Sequence, residues 1–119
     1  MQTPIQLTFR GMAHSKALAA HAARRTDKLE RLFTKIVSCH VVFELVGHRH
    51  RHGDRYRISI HLGVPGRELL AGHRPSSSDD SADNPYVDTD RAFDEAERQL
   101  EDWVKRRRAV RHGEVRWPN

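Results

Sequence analysis

The sequence predicts an α+β domain in which two helices cover one face of a four-stranded, mainly antiparallel sheet. Four short segments are predicted as strands, and two of them, IQLTFRG and RYRISIHL, alternate apolar and polar residues as half-buried strands do. Two longer segments repeat apolar residues at helical spacing, one after the first strand and one after the fourth. The resulting order is β-α-β-β-β-α. Two amphipathic helices can bury their apolar sides on one face of such a sheet, which gives a two-layer sandwich.

The first strand and the first helix are predicted between residues 5 and 36. In the segment IQLTFRG, the apolar Ile5, Leu7 and Phe9 alternate with polar residues, and Gly11 closes the strand. Ser15 is a favourable N-cap residue in front of the helical segment. The apolar side of the helix, which we expect to face the sheet, consists of Leu18, Ala22, Leu29, Leu32, Phe33 and Ile36.

Three further strands are predicted in the segments CHVVFELV, RYRISIHL and RELLAGH. Gly53 and Asp54 indicate a turn between the first two of these strands, and GVPG indicates the next turn. The alternating apolar residues of RYRISIHL are expected inside: Tyr56, Ile58, Ile60 and Leu62. The opposite face of the sheet would then carry free basic side chains: Arg10, Arg55, Arg57 and His61.

A polar loop and a second helix complete the predicted domain. Residues 74–84 contain no core-forming side chain, so we expect a flexible acidic loop. Asn84 as N-cap and Pro85 at the first helical position begin a helix that runs to about residue 108. Its apolar stripe consists of Tyr86, Phe93, Ala96, Leu100, Trp103 and Val104. Residues 1–110 are thus expected to form one α+β domain, followed by a basic tail at 111–119.

Charge is strongly segregated along the 119 residues. Residues 1–74 carry 13 Lys and Arg against 5 Asp and Glu, residues 75–104 carry 2 against 10, and residues 105–119 carry 6 against 1. Two basic segments in a small protein favour a polyanionic partner such as RNA or DNA. No apolar run approaches the length of a membrane span, no export signal is evident, and the single Cys39 fits a reducing cytoplasm.

The first helix carries a basic stripe formed by Arg24, Lys28, Arg31 and Lys35. Such a stripe can be a solvated surface, weakly paired with neighbouring acids, or a row of donors for phosphates on a rigid element. In the second helix the four-residue spacing of Asp94 to Arg98, and of Arg98 to Asp102, predicts pairing within the helix.

The segment HRHRH places His48, His50 and His52 at alternate positions near the expected hairpin tip. Three histidines at an exposed tip lack the fixed geometry of a metal site, and the arginines between them oppose a divalent cation. A basic finger that contacts RNA is the better hypothesis, with a metal-dependent factor as the alternative. No catalytic motif is recognisable in the sequence, and we expect no enzyme, no cofactor and no small-molecule substrate.

The sequence resembles the ribosome hibernation-promoting factors and ribosome-associated inhibitors, also called the sigma-54 modulation family. The resemblance lies in DKLERLF (27–33), VVFE (41–44) and NPYVDTDRAFDEAERQLEDW (84–103). It implies a β-α-β-β-β-α domain like that of double-stranded-RNA-binding proteins, which stops translation during stress by occupying the small ribosomal subunit. It also implies a short form without a C-terminal dimerisation domain. Where family members usually carry lysines, the second helix has Glu95, Glu101 and Asp102.

The resemblance and the charge pattern together predict a cytoplasmic factor that binds ribosomal RNA and has no membrane partner. The residues expected to contact RNA are Arg24, Lys28, Arg31, Lys35, Arg55, Arg57, Arg98, Lys105, Arg106 and Arg108. An alternative is a diverged relative that binds another protein through its acidic second helix.

Overall fold

The structure is a computed structural model that describes residues 1–49, 53–73 and 84–111. Its elements are β1 (Gln6–Arg10), α1 (Lys16–Leu32), β2 (Ser38–Arg49), β3 (Gly53–Val64), β4 (Arg67–His73) and α2 (Pro85–Arg111). The predicted order β-α-β-β-β-α and the α+β class are confirmed. None of the helices described is both long enough and apolar enough to span a membrane.

The four strands form one sheet in the order β1-β2-β3-β4. β1 runs parallel to β2, with Phe9 opposite Phe43, whereas β2–β3 and β3–β4 are antiparallel pairs. The α1 crossover between β1 and β2 is what permits their parallel pairing. Gly66 makes the tight turn into β4 with a φ of 84°, a conformation that side chains with a Cβ rarely adopt. The sheet is therefore mainly antiparallel, as predicted.

Both helices begin at the predicted caps but end elsewhere. The Ser15 hydroxyl accepts a hydrogen bond from the Leu18 amide at 3.2 Å, and the Asn84 side chain accepts one from the Tyr86 amide at 2.9 Å. α1 ends at Leu32, and Phe33 already has an extended backbone. α2 continues to Arg111, beyond the predicted end near residue 108. The apolar pattern had suggested a longer α1, because Phe33 and Ile36 pack on the core from the segment after the helix.

The core lies between the sheet and the two helices. Its fully buried members include Leu29, Val41, Phe43, Ile58, Ile60, Phe93 and Leu100. Cys39 belongs to the same layer, and its burial raises the pKa of the thiol to about 11, so it is a packing residue with little thiolate character. Two residues of the predicted apolar faces are instead largely exposed: Leu32 at 40% and Tyr86 at 39%.

The two helices pack side by side and run in the same direction. His21 of α1 contacts Asp90 of α2, and Arg25 contacts Asp94 farther along. Phe33, just after α1, packs edge-on against Trp103 near the other end of α2. Contacts that advance together along both chains require parallel axes. The C-terminal ends of α1 and α2 therefore lie at the same end of the molecule.

Leu29→Ala should lower the free energy of unfolding by about 2–5 kcal/mol, because it leaves a cavity in the centre of the core. Leu70 provides the matched control, since it is 60% exposed on β4. We expect Leu70→Ala to cost less than about 1 kcal/mol. Urea denaturation of both variants measures the difference, and equal losses would contradict the position of Leu29 in the core.

Candidate nucleic-acid interface

The predicted basic stripe of the first helix is only partly continuous. Arg24, Lys28 and Arg31 are exposed on α1, whereas Lys35 lies in the turn after the helix. Lys28 turns towards α2, where its ammonium lies 3.4 Å from a carboxylate oxygen of Glu97. Arg24, Arg31 and Lys35 form no ion pair with any residue that the structure describes. These three cations are thus available to an outside partner.

The last turns of α2 carry a second group of cations. Lys105 and Arg108 are exposed and form no ion pair within the described part of the chain, whereas Arg106 pairs with Asp102 at 3.2 Å. The guanidinium of Arg107 lies 5.4 Å from the ring centres of both Phe33 and Trp103, which fixes the end of α2 against the turn after α1. Cations at this position also interact favourably with the helix dipole.

Parallel packing brings the two groups of cations together. Lys35, Arg107 and Arg108 line one cavity between the helix ends, and Lys105 and Arg108 line an adjoining one. We call Lys35, Lys105, Arg107 and Arg108 the basic end. Its members are 70 residues or more apart in sequence, apart from the run in α2 itself. The tertiary fold thus converts two separate sequence signals into one surface of concentrated positive charge.

Arg98, one of the residues predicted to contact RNA, already pairs with a carboxylate within α2. Its Nε donates to Glu95 at 2.9 Å, one turn earlier in α2. These hydrogen bonds lower the pKa of the Glu95 carboxyl and raise the pKa of Arg98. The predicted pairing of Arg98 with Asp94 and Asp102 is wrong, because Glu95 takes the guanidinium and Asp94 and Asp102 pair with other arginines.

Arg25 is the charged residue that sequence reasoning missed. Its guanidinium donates to Asp90 at 2.6 Å, to Asp94 at 2.8 Å and to Glu97 at 3.0 Å, so one α1 side chain binds three carboxylates of α2. His21 contacts the same Asp90 oxygen at 2.8 Å. The signal in the sequence was the four-residue spacing of His21 and Arg25 opposite acids spaced by three and four residues.

The network shifts the titration of its members. Partial burial alone would raise the pKa of the Asp90 carboxyl, but hydrogen bonds and charge from Arg25 and His21 outweigh it and hold that pKa below its usual range. Burial alone would likewise lower the pKa of Arg25, and the three carboxylates reverse the direction. Asp90, Asp94 and Glu97 are therefore neutralised by cations of α1, whereas Glu95 and Asp102 pair with arginines of α2 itself.

The open face of the sheet is not the basic surface that the alternation predicted. Arg57 pairs with Glu44 at 3.1 Å, and His61 contacts Glu68 at 2.7 Å. Arg55 is only 6% exposed, so it is not free on this face. A bulge in β2 between Leu45 and Gly47 shifts the register opposite Tyr56 and Arg55, and such bulges disrupt the regular ladder and increase twist.

Several predicted features lie outside the described residues: His50 and His52, the acidic loop apart from Asn84, and the tail beyond Arg111. Within the part of the chain that is described, no group of three or more metal-ligating side chains could hold an ion. The helix side of the domain, with the basic end, therefore carries the candidate interface.

Both the sequence and the fold are similar to known proteins. The family described as sigma 54 modulation protein / S30EA ribosomal protein matches residues 5–108. The N-terminal domain of Protein Y from Thermus thermophilus superimposes with a TM-score of 0.64 at 20% identity, over 82% of this chain and 94% of that one. A ribosomal subunit interface protein from Coxiella burnetii gives a TM-score of 0.66 at 19% identity, over 85% and 97% respectively. At such identities these two structures show the fold alone. No curated protein matches the sequence.

Arg25→Met should lower the free energy of unfolding by about 2–4 kcal/mol, because it leaves three neighbouring carboxylates without their shared cation. Arg24→Met removes the same charge from the adjacent, exposed position and should change stability by no more than about 0.5 kcal/mol. Urea denaturation at neutral pH compares them, and a similar effect of both variants would contradict a specific role of Arg25.

The same network predicts a loss of stability in acid. Because the pKa of Asp90 is lower in the folded chain, its contribution is complete above the unfolded value, near pH 4, and disappears as the pH falls through the folded value. Urea midpoints measured from neutral pH down to about pH 3 should therefore fall more steeply in the parent chain than in Arg25→Met. Parallel profiles for the two proteins would contradict this origin.

Proposed function

The chain belongs to the sigma 54 modulation protein / S30EA ribosomal protein family, and we propose that it is a hibernation factor that holds the small ribosomal subunit inactive. Ribosomal RNA is the principal ligand, and its phosphates are the groups bound. The folded body then occupies space that messenger and transfer RNA need. The observation that carries the proposal is the basic end, where α2 and the turn after α1 bring their cations to one surface.

Phosphate binding suits the cations available there. Lys35, Lys105 and Arg108 form no ion pair within the described residues, so they can contact phosphates without first losing a carboxylate. Arg24 and Arg31 extend the same helix side along α1. Contacts of this kind depend on the shape and charge of the RNA backbone and do not read its sequence. Binding should therefore weaken steeply as salt rises.

The remaining residues predicted to contact RNA differ in their position and in their partners within the chain. Lys28, Arg98 and Arg106 lie on the helix side and would exchange a carboxylate for a phosphate. Arg57 lies on the opposite, open face and Arg55 is buried, so we leave both out of the proposed interface. The interface consists of the basic end together with the exposed cations of α1.

This mechanism requires occupancy alone, so we propose a non-catalytic protein that acts in the cytoplasm, where ribosomes translate. The alternative of a protein-binding module used the acidic second helix as its contact surface. The structure counts against that surface, because Asp90, Asp94 and Glu97 already bind Arg25 and Lys28 of the same chain. A partner would have to replace these contacts.

A triple variant with Lys35→Gln, Lys105→Gln and Arg108→Gln tests the proposal. We expect binding to small subunits to weaken by about tenfold to a hundredfold, and the slope of log K against log salt to become shallower by about 2–3. Co-sedimentation with purified small subunits across a series of salt concentrations measures both quantities.

A second triple variant, with Arg10→Gln, Lys16→Gln and Arg57→Gln, is the control. It removes the same charge from residues outside the basic end, on the open face and at the start of α1. It should keep most of the affinity and the salt slope of the parent chain. Equal losses in both variants would reduce the effect to net charge and contradict the proposed interface. The proposed interface would also be contradicted if the first triple variant bound small subunits as tightly as the parent chain.

A further inference from the structure

A groove with an apolar floor runs through the basic end. Two adjoining cavities of about 180 and 200 Å³ share Leu32, Val104 and Arg108 as lining residues. The groove lies between the last turn of α1 and the last turns of α2. The chain leaves α1 after Leu32, and the turn that follows, with Phe33 and Lys35, lines one side of the groove.

The floor of the groove is exposed to solvent. Leu32 is 40% exposed although the helical pattern placed it on the core side, and Val104 is only half-buried. Around this floor stand the four cations of the basic end, and Glu101 is the single acid among the described residues that line the two cavities. An apolar surface with a cationic rim fits a ligand that combines a flat or apolar part with negative charge.

Arg107 gives the groove a planar wall. Its guanidinium is held against the rings of Phe33 and Trp103, with both ring centres 5.4 Å away, and the side chain also lines the groove. The guanidinium is itself planar, and its contacts with the two rings restrain it for stacking by a further planar group. RNA bases that are not paired stack on arginine planes and aromatic side chains, whereas paired bases inside a helix cannot.

We propose that the groove binds an unpaired nucleotide of RNA. Its base contacts Leu32 and Val104 and stacks on Arg107, while its flanking phosphates contact Lys35 and Arg108. The inference rests on the proposed function and sharpens it, because the basic end would then select single-stranded or bulged RNA over a continuous duplex. An acidic peptide with an apolar side chain is the competing occupant, and the charge and the planar wall together favour the nucleotide.

Binding of the full chain to a short single-stranded oligouridylate, and to a blunt RNA duplex of equal charge, tests the inference by fluorescence anisotropy. We expect the single strand to bind more tightly. Leu32→Ala and Arg107→Lys should each weaken single-strand binding by about fivefold to tenfold and leave duplex binding nearly unchanged. Both variants preserve charge, so the salt slope for the single strand should remain that of the parent chain.

Leu70→Ala is the matched control, because it truncates an exposed leucine on β4 outside the groove and should leave both affinities unchanged. Equal affinity for the single strand and the duplex, with no effect of Leu32→Ala or Arg107→Lys, overturns the inference. Binding of a glutamate-rich apolar peptide by a chain that does not bind the single strand also overturns it. Either result leaves the proposed function standing if small subunits still sediment with the parent chain and not with the triple variant of the basic end.

Discussion

The parallel packing of α1 and α2 on one face of the sheet is the constraint on which the rest of the structure depends. It follows from the topology, because both helices return from strands that run in the same direction. Each helix brings an apolar side to the sheet and a charged edge to its neighbour. Parallel axes then bring both C-terminal ends, with their cations, to one end of the domain.

The charge pattern of the sequence has its explanation in this packing. Three acidic residues of α2, Asp90, Asp94 and Glu97, face α1, where Arg25 binds all three and Lys28 also pairs with Glu97. Because these carboxylates are paired with cations, they do not repel a polyanion over the whole helix side. Beyond them α2 becomes basic, and the cations there lie next to the turn after α1. The contacts with α1 and the concentrated cations thus occupy successive parts of one helix.

The open face of the sheet makes a different contribution. Arg57 pairs there with Glu44 of the neighbouring strand and His61 contacts Glu68, whereas Arg10 forms no ion pair within the described residues. Thr8 joins His40 across β1 and β2 in a hydrogen bond of 2.8 Å. Such cross-strand pairs stabilise the pairing of strands and leave little net charge. The concentrated cations of the basic end lie on the helix side instead.

The sequence by itself determined the fold class, the order of the elements, both helix starts and most of the core. Period-two and period-3.6 patterns and capping residues such as Ser15 and Asn84 are local, so they are readable without tertiary contacts. Only the tertiary structure decided which charges are free. Arg24 and Arg25 are adjacent and identical in type, yet one is exposed and the other binds three carboxylates across the helix interface. The bulge that accompanies the burial of Arg55, the early end of α1 and the meeting of Lys35 with Arg108 likewise depend on contacts between residues far apart in sequence, and no local pattern records those contacts.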